Sequence, residues 1–193
     1  MRALPGRLAA LAAALVFVLG VHWAAYALFP FAYRAPVEAA AAETGLDPRL
    51  LLAVMRVESH FRTGAVSPAG AVGLMQITPA TGAWIAGQRQ QGGPPFAPAL
   101  LRQPAYNVAA GAWYLAYLQN AFGGRLPPAV AAYNAGRSPV AAWLRSGVWD
   151  ATPGGAEEIP FPETRLFVQR VLGTYAVYRL LYPGAGRADR GGS

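Results

Sequence analysis

The chain has 193 residues, enough for one compact domain plus a short extra segment, and a formal charge of +7 in which all 16 positive residues are arginines. There is no cysteine, which excludes disulfides, thiol catalysis and Cys-bearing metal sites. His22 and His60 offer no pair at metal-binding spacing, so neither a metal nor any cofactor is expected. The arginines stand singly from Arg34 to Arg190, so the charge suits a polyanionic partner without the basic, aromatic-interleaved run of a nucleic-acid binder.

The first element in chain order is Leu8 to Tyr33, an almost uncharged apolar stretch behind Arg2 and Arg7. About 20 residues at about 1.5 Å each span a bilayer core. Residues 1–34 are therefore expected to be a signal anchor with a single transmembrane helix. The arginines ahead of it place the N-terminus in the cytoplasm and the remainder outside. Ala25-Tyr26-Ala27 is also a small-x-small site, so cleavage after Ala27 to a secreted form is the alternative.

A soluble domain is expected over 35–184, with a disordered tail over 185–193. Pro36 to Thr44 reads as a helix stopped near Gly45. Asp47-Pro48 is a helix start, an N-cap acceptor followed by a first-turn proline, and the helix runs through Leu51, Val54 and Met55 to Glu58. Ser67-Pro68-Ala69-Gly70 is a turn, and Thr78-Pro79 opens a helix carrying Trp84 and Ile85. Gln88 to Pro98 reads as a surface loop. Tyr106 to Phe122 is helical, with Val108, Trp113, Leu115 and Leu118 as core. Pro128 to Asn134, Ser138 to Ser146 and Glu163 to Tyr182 are further helices. No strand pattern is present, so the fold class is mainly α.

Glu58 is out of place by helical spacing. Leu51, Val54 and Met55 share its face, so it is either solvated at a helix end or buried in an apolar site. Burial raises a carboxyl pKa, and an acid still protonated near neutral pH can protonate the leaving oxygen of a glycosidic bond. Between Glu58 and Asp150 there is no other acid. Ordinary glycosidases need two carboxylates. Asp150, Glu157 and Glu158 lie in a Gly/Pro-flanked segment that reads as mobile, and Glu163 reads as an acid complementing a helix dipole. A sugar-cleaving chemistry here would run on one carboxylate, first as acid and then as base.

Glu58-Ser59 with Phe61, then Gly73-Leu74-Met75-Gln76, then Ala132-Tyr133-Asn134-Ala135-Gly136, resemble three signature blocks of the soluble-type lytic transglycosylases. The segment from Ile159-Pro160-Phe161-Pro162 through Glu163-Thr164-Arg165 to Val168 resembles the block that closes their domain. The likeness covers about residues 36–182. It implies a lysozyme-like α domain with a long cleft, acting on peptidoglycan glycan strands. It further implies non-hydrolytic cleavage between N-acetylmuramic acid and N-acetylglucosamine, with a 1,6-anhydro product. By the same resemblance Glu58 is the acid and then the base, and Tyr133 steadies it or the developing charge, unless Tyr133 is only core packing. Substrate contacts are implied for Ser59, Met75, Gln76 and Asn134. Ser59 could instead bond the Glu58 carboxyl or cap the helix, Gln76 could be an ordinary polar side chain at the surface, and Asn134 could shape the cleft by capping or bonding backbone. Gly70 and Gly73 would permit close backbone approach.

Two positions depart from the family pattern. Thr78 stands where many relatives have methionine, and Phe167 where they usually have tyrosine; subsite affinity and local packing are what these put in doubt. Trp84, Trp113, Trp143 and Trp149 are either core or sugar-stacking residues. Arg165 binds a peptide-stem carboxylate, or pairs with Glu163 or a carbonyl. A hydrolytic muramidase of the goose-lysozyme type and a non-catalytic wall-binding scaffold are the rival functions.

Overall fold

The computed structural model describes residues 4–89 and 96–185. Its contacts divide the chain into two units, residues 1–31 and 32–193. The first unit holds one helix, α1 (Leu4–Leu28). Within it Ala9–Leu28 is 20 residues of mean hydropathy 2.0, long and apolar enough to cross a membrane, with none of that window buried against protein. The residues of the expected tail from 186 onward lie outside the described part.

The second unit carries seven α-helices among its described residues: α2 (Arg34–Thr44), α3 (Pro48–Ser59), α4 (Pro79–Arg89), α5 (Pro104–Ala121), α6 (Leu126–Ala135), α7 (Arg137–Arg145) and α8 (Pro162–Leu181). Short 3-10 turns occupy Pro98–Arg102 and Pro153–Glu158. No strand forms among the described residues, only isolated bridges from Val72 to Val66 and Ile77. Helices α3, α5, α6 and α8 each have proline in the first turn. Proline is tolerated there because that N–H would have no helical partner. This is why α5 and α6 begin two residues before their expected starts. Asp47 caps α3 by accepting from Arg49 N–H at 2.9 Å, and Gly45 ends α2 in the left-handed conformation at φ +72°.

Helix α3 is the centre of the domain. Leu50 to Met55 are all 3% exposed or less, six consecutive residues covering every face of the helix. Helix α8 makes its broadest contact, with α2 alongside; α5 packs on α2 and α6, and α6 on α8 and α7. Each fully buried Leu, Val or Met contributes about 1.5–3 kcal/mol relative to exposure. The stripe of α3 is thus a strong anchor for the residue at its end.

One expectation fails here: Trp113 is only half-buried, not core. In the Asp150–Glu158 segment Ala151 and Ala156 are buried, between buried Trp149 and Ile159, while its acidic residues are exposed, and Thr152 Oγ1 accepts from Gly155 N–H at 3.0 Å. Its apolar residues are spaced irregularly, so they form neither a helical nor a strand pattern that a sequence reading could detect.

Candidate active site

Helix α3 delivers Glu58 to a cleft of about 470 Å³ that Gln76, Tyr114, Tyr133, Asn134 and Glu163 also line. Its carboxyl is pushed up to about 8 from the ordinary 4.5, first by burial among apolar neighbours and second by the negative charge of Glu163. Beyond Glu58 the chain reverses sharply: His60 and Phe61 are both left-handed, at φ 50° and 63°. Such residues cost about 1–2 kcal/mol each outside glycine. The turn is held by Arg62, whose backbone N–H and Nε both donate to the Ser59 carbonyl at 3.1 and 3.0 Å.

The loop before α4 supplies the next wall. Ser59 Oγ is fully buried and donates to the carbonyls of Leu74 (2.8 Å) and Met55 (3.1 Å). It therefore clamps the loop to the end of α3, and neither contacts the cleft nor caps the helix, whose C-cap is His60. Met75 is likewise fully buried beneath Gly111, where a Cβ would meet Met75 Cβ at 2.7 Å. What Met75 offers the site is its backbone. Its N–H donates to Asn107 Oδ1 at 2.7 Å, and its carbonyl accepts from Tyr133 OH at 2.9 Å. Gln76 has a left-handed backbone, and its Nε2 donates to the carbonyls of Gly73 (2.9 Å) and Ala65 (3.3 Å), which turns the amide oxygen over to the cleft it lines. Gly73 is a genuine close approach, with φ +84° and a Cβ position 2.6 Å from the Leu101 carbonyl. Gly70 is required only for its φ of +78°, because open space surrounds it.

Asn107, which sequence reasoning missed, organises this loop. It is 1% exposed, and besides accepting from Met75 it donates through Nδ2 to the carbonyls of Val72 (2.8 Å) and Leu101 (2.9 Å). The signal was available: a polar side chain beside Val108 and one turn before Gly111, on the buried face of α5.

Helix α6 brings the opposite wall. The phenol of Tyr133 is held well above its ordinary titration range by burial, then by Glu58 and Tyr114, so it stays a neutral donor. Its ring stacks on Phe167 at 6.4 Å and 6°, so the departure at Phe167 retains the ring contact. Asn134 Oδ1 accepts from buried Thr164 Oγ1 at 2.6 Å, which ties α6 to the first turn of α8. The same turn places Glu163 in the cleft, a second carboxylate beside Glu58 that its helix-start position had explained away. Thr78 also has a local role: its Oγ1 accepts from Thr81 N–H at 3.1 Å and starts α4.

Of the four tryptophans in the second unit, Trp143 and Trp149 are core, while Trp84 and Trp113 lie together at the surface. Arg165 donates from Nε and Nη2 to the Ile159 carbonyl at 3.2 and 2.9 Å, the carbonyl alternative of its three readings. Among the described residues no cluster of three or more His, Asp or Glu side chains could hold a metal.

The geometry has known counterparts. The transglycosylase SLT domain family matches residues 35–152. A soluble lytic murein transglycosylase of Salmonella typhimurium is 36% identical over 154 residues, which is 78% of this chain and 23% of that protein. A membrane-bound lytic murein transglycosylase C of Haemophilus influenzae is 40% identical over 91 residues, covering 47% of this chain and 25% of that protein. Among solved structures, an inactive glutamate-to-glutamine mutant of the lytic transglycosylase Slt from Pseudomonas aeruginosa superposes with a TM-score of 0.73 at 35% identity, over 81% of this chain and 25% of that one. The 70 kDa soluble lytic transglycosylase of Escherichia coli gives 0.77 at 32% identity, over 84% and 26%. The chain thus spans about a quarter of the length of these relatives. The mainly α, lysozyme-like fold is the one these neighbours share. With its matched segment, its four motif blocks in order and this fold, the chain belongs to the transglycosylase SLT domain family.

Proposed function

We propose that this protein is a membrane-anchored lytic transglycosylase that cleaves peptidoglycan glycan strands outside the cytoplasm. The observation that carries the reading is Glu58, a carboxyl still holding its proton near neutral pH in a cleft shared with Tyr133, Gln76 and Asn134. The named relatives, lytic murein transglycosylases, support the substrate class.

In this reading Glu58 gives its proton to the oxygen joining the anomeric carbon of N-acetylmuramic acid to N-acetylglucosamine. The bond between that carbon and that oxygen breaks. The 6-hydroxyl of the same muramic acid bonds to the anomeric carbon, and its proton passes to the Glu58 carboxylate, restoring the acid. No water enters, and the product is the 1,6-anhydro sugar. Tyr133, a neutral phenol tied to the Met75 carbonyl, steadies the carboxyl and the developing positive charge. Gln76 Oε1 is placed to accept from an acetamido N–H or a hydroxyl, and Asn134 shapes the wall beside it. Ser59 and Met75 act through the loop they hold and not by touching substrate. Residues 1–34 serve as the anchor and residues 35–184 as the catalytic domain, with Arg2 and Arg7 on the cytoplasmic side.

The test is digestion of purified sacculi by the full chain and by Glu58→Gln, with mass spectrometry of the soluble products. The expected result is anhydro-muropeptides from the parent and none from the variant. Products heavier by one water would replace the reading with hydrolysis, for which the Glu163 carboxylate is the base at hand to activate water. Equal release by both proteins would end Glu58's role.

A further inference from the structure

Beside the cleft, α4 and α5 present four aromatic rings in one connected group. Trp113 and Tyr117 stack at 5.7 Å and 8°, and Tyr114 and Tyr117 at 6.4 Å and 12°, so three rings of α5 lie nearly parallel in a row. Trp84 of α4 stands edge-on to all three, at 5.9 Å from Trp113, 5.9 Å from Tyr114 and 5.0 Å from Tyr117. The Arg137 guanidinium lies 5.9 Å from the Tyr117 ring and donates to its hydroxyl at 3.0 Å, which fixes the far end of the row.

Packing between α4 and α5 leaves part of each ring uncovered: Trp84 keeps 38% of its surface exposed, and the three α5 rings are half-buried. A connected aromatic patch that stays partly open to water is a candidate binding surface. The rings also lock one another's orientation, so little side-chain freedom remains to be lost on binding.

The row is continuous with the cleft. Tyr114 lines the cleft itself and stands 5.5 Å from Tyr133, while Gly136, just before Arg137, lines it too. A strand threaded past Glu58 would meet these rings next. One face of a pyranose ring carries only C–H groups, apolar and weakly positive, and it complements the negative face of an aromatic ring.

We propose that Trp84, Trp113 and Tyr117 form a distal glycan subsite, on which a sugar ring of the strand occupying the cleft stacks outside the reaction centre. The proposal rests on the reading of the cleft as a glycan-cleaving site. The subsite recognises the C–H face of a hexose and not its substituents, so it holds long strands and ignores short ones.

The experiment measures calorimetric binding of chitooligosaccharides of increasing length to the full chain carrying Glu58→Gln, which binds without turnover. Trp84→Ala, Trp84→Phe and Trp113→Ala are added to that background, with thermal melting as the check on folding. The expected result is an affinity that climbs with length in Glu58→Gln alone and levels off early with either alanine variant. For the longest oligomer the loss is about three- to tenfold, the range for one lost aromatic partner. Trp84→Phe retains most of the length dependence because it keeps a ring. Long-chain affinity unchanged by both alanine substitutions, in proteins that do bind glycan, overturns the subsite alone. No glycan binding by Glu58→Gln at any length overturns the reading of the cleft and the subsite with it. Should Trp113→Ala fail to fold, the comparison of Trp84→Ala with Trp84→Phe decides, since Trp84 is exposed enough to be removed without a core cavity.

Discussion

Glu58→Gln removes an ionisable group from the cleft while preserving its size, and its largest measurable effect besides lost activity is on stability. In the folded protein the carboxyl keeps its proton to about pH 8, whereas an unfolded chain releases it near 4.5. Between those values the folded state binds more protons than the unfolded one, so stability falls as pH rises through the window and levels off above 8. Each pH unit inside the window costs about 1.4 kcal/mol. The parent is thus penalised by about 1 kcal/mol at pH 5, about 3 at pH 7 and nearly 5 at pH 9. Glutamine cannot ionise and escapes the penalty. At about 3 °C per kcal/mol for a domain of this size, the variant melts about 3 °C above the parent at pH 5 and about 10 °C above it at pH 7, with a wider gap at pH 9. Near-ultraviolet circular dichroism of both full chains in detergent at the three pH values reads this directly. A gap that does not widen from pH 5 to pH 9 refutes the buried, proton-holding Glu58 on which the mechanism depends.

Glu163→Gln removes the like charge that helps keep Glu58 protonated, so the alkaline limb of kcat/KM on sacculi, near pH 8 in the parent, moves to lower pH. An unmoved limb would show that the two carboxyls do not sense each other. Asn107→Ala strips three hydrogen bonds from buried backbone groups at about 1 kcal/mol each, and thermal melting should show a loss of about 10 °C. Tyr133→Phe keeps the stack on Phe167 but loses the bond to the Met75 carbonyl. It should lower kcat about a hundredfold through misplacement, with KM nearly constant.

The architecture was readable because its punctuation is local. Prolines, the Asp47 cap and Gly45 act within a single turn, so they marked helix ends to within two residues. Glu58 stood out for a similar reason, an acid continuing an apolar stripe. What stayed hidden depends on contacts between distant segments. Ser59 borders the acid in sequence, yet which way its hydroxyl points is decided by Leu74, fifteen residues on. Asn107 shows in the sequence as a polar residue on the buried face of α5, but the two separate segments whose carbonyls it serves do not. Glu163 had a sufficient local explanation at the start of α8, and that explanation concealed its place in the cleft with Glu58. The tryptophans could not be sorted from spacing because helical periodicity gives the same pattern for a ring facing core and a ring facing a groove.

The carbonyls of Leu74 and Met75 are neighbours on one loop, but one receives a hydroxyl from α3 and the other a hydroxyl from α6. The end of α3 that carries the acid, and the phenol of α6, are therefore fastened to adjacent links of the same short strap. One segment sets the spacing of both, so a shift in that strap is felt at Glu58 and at Tyr133 together.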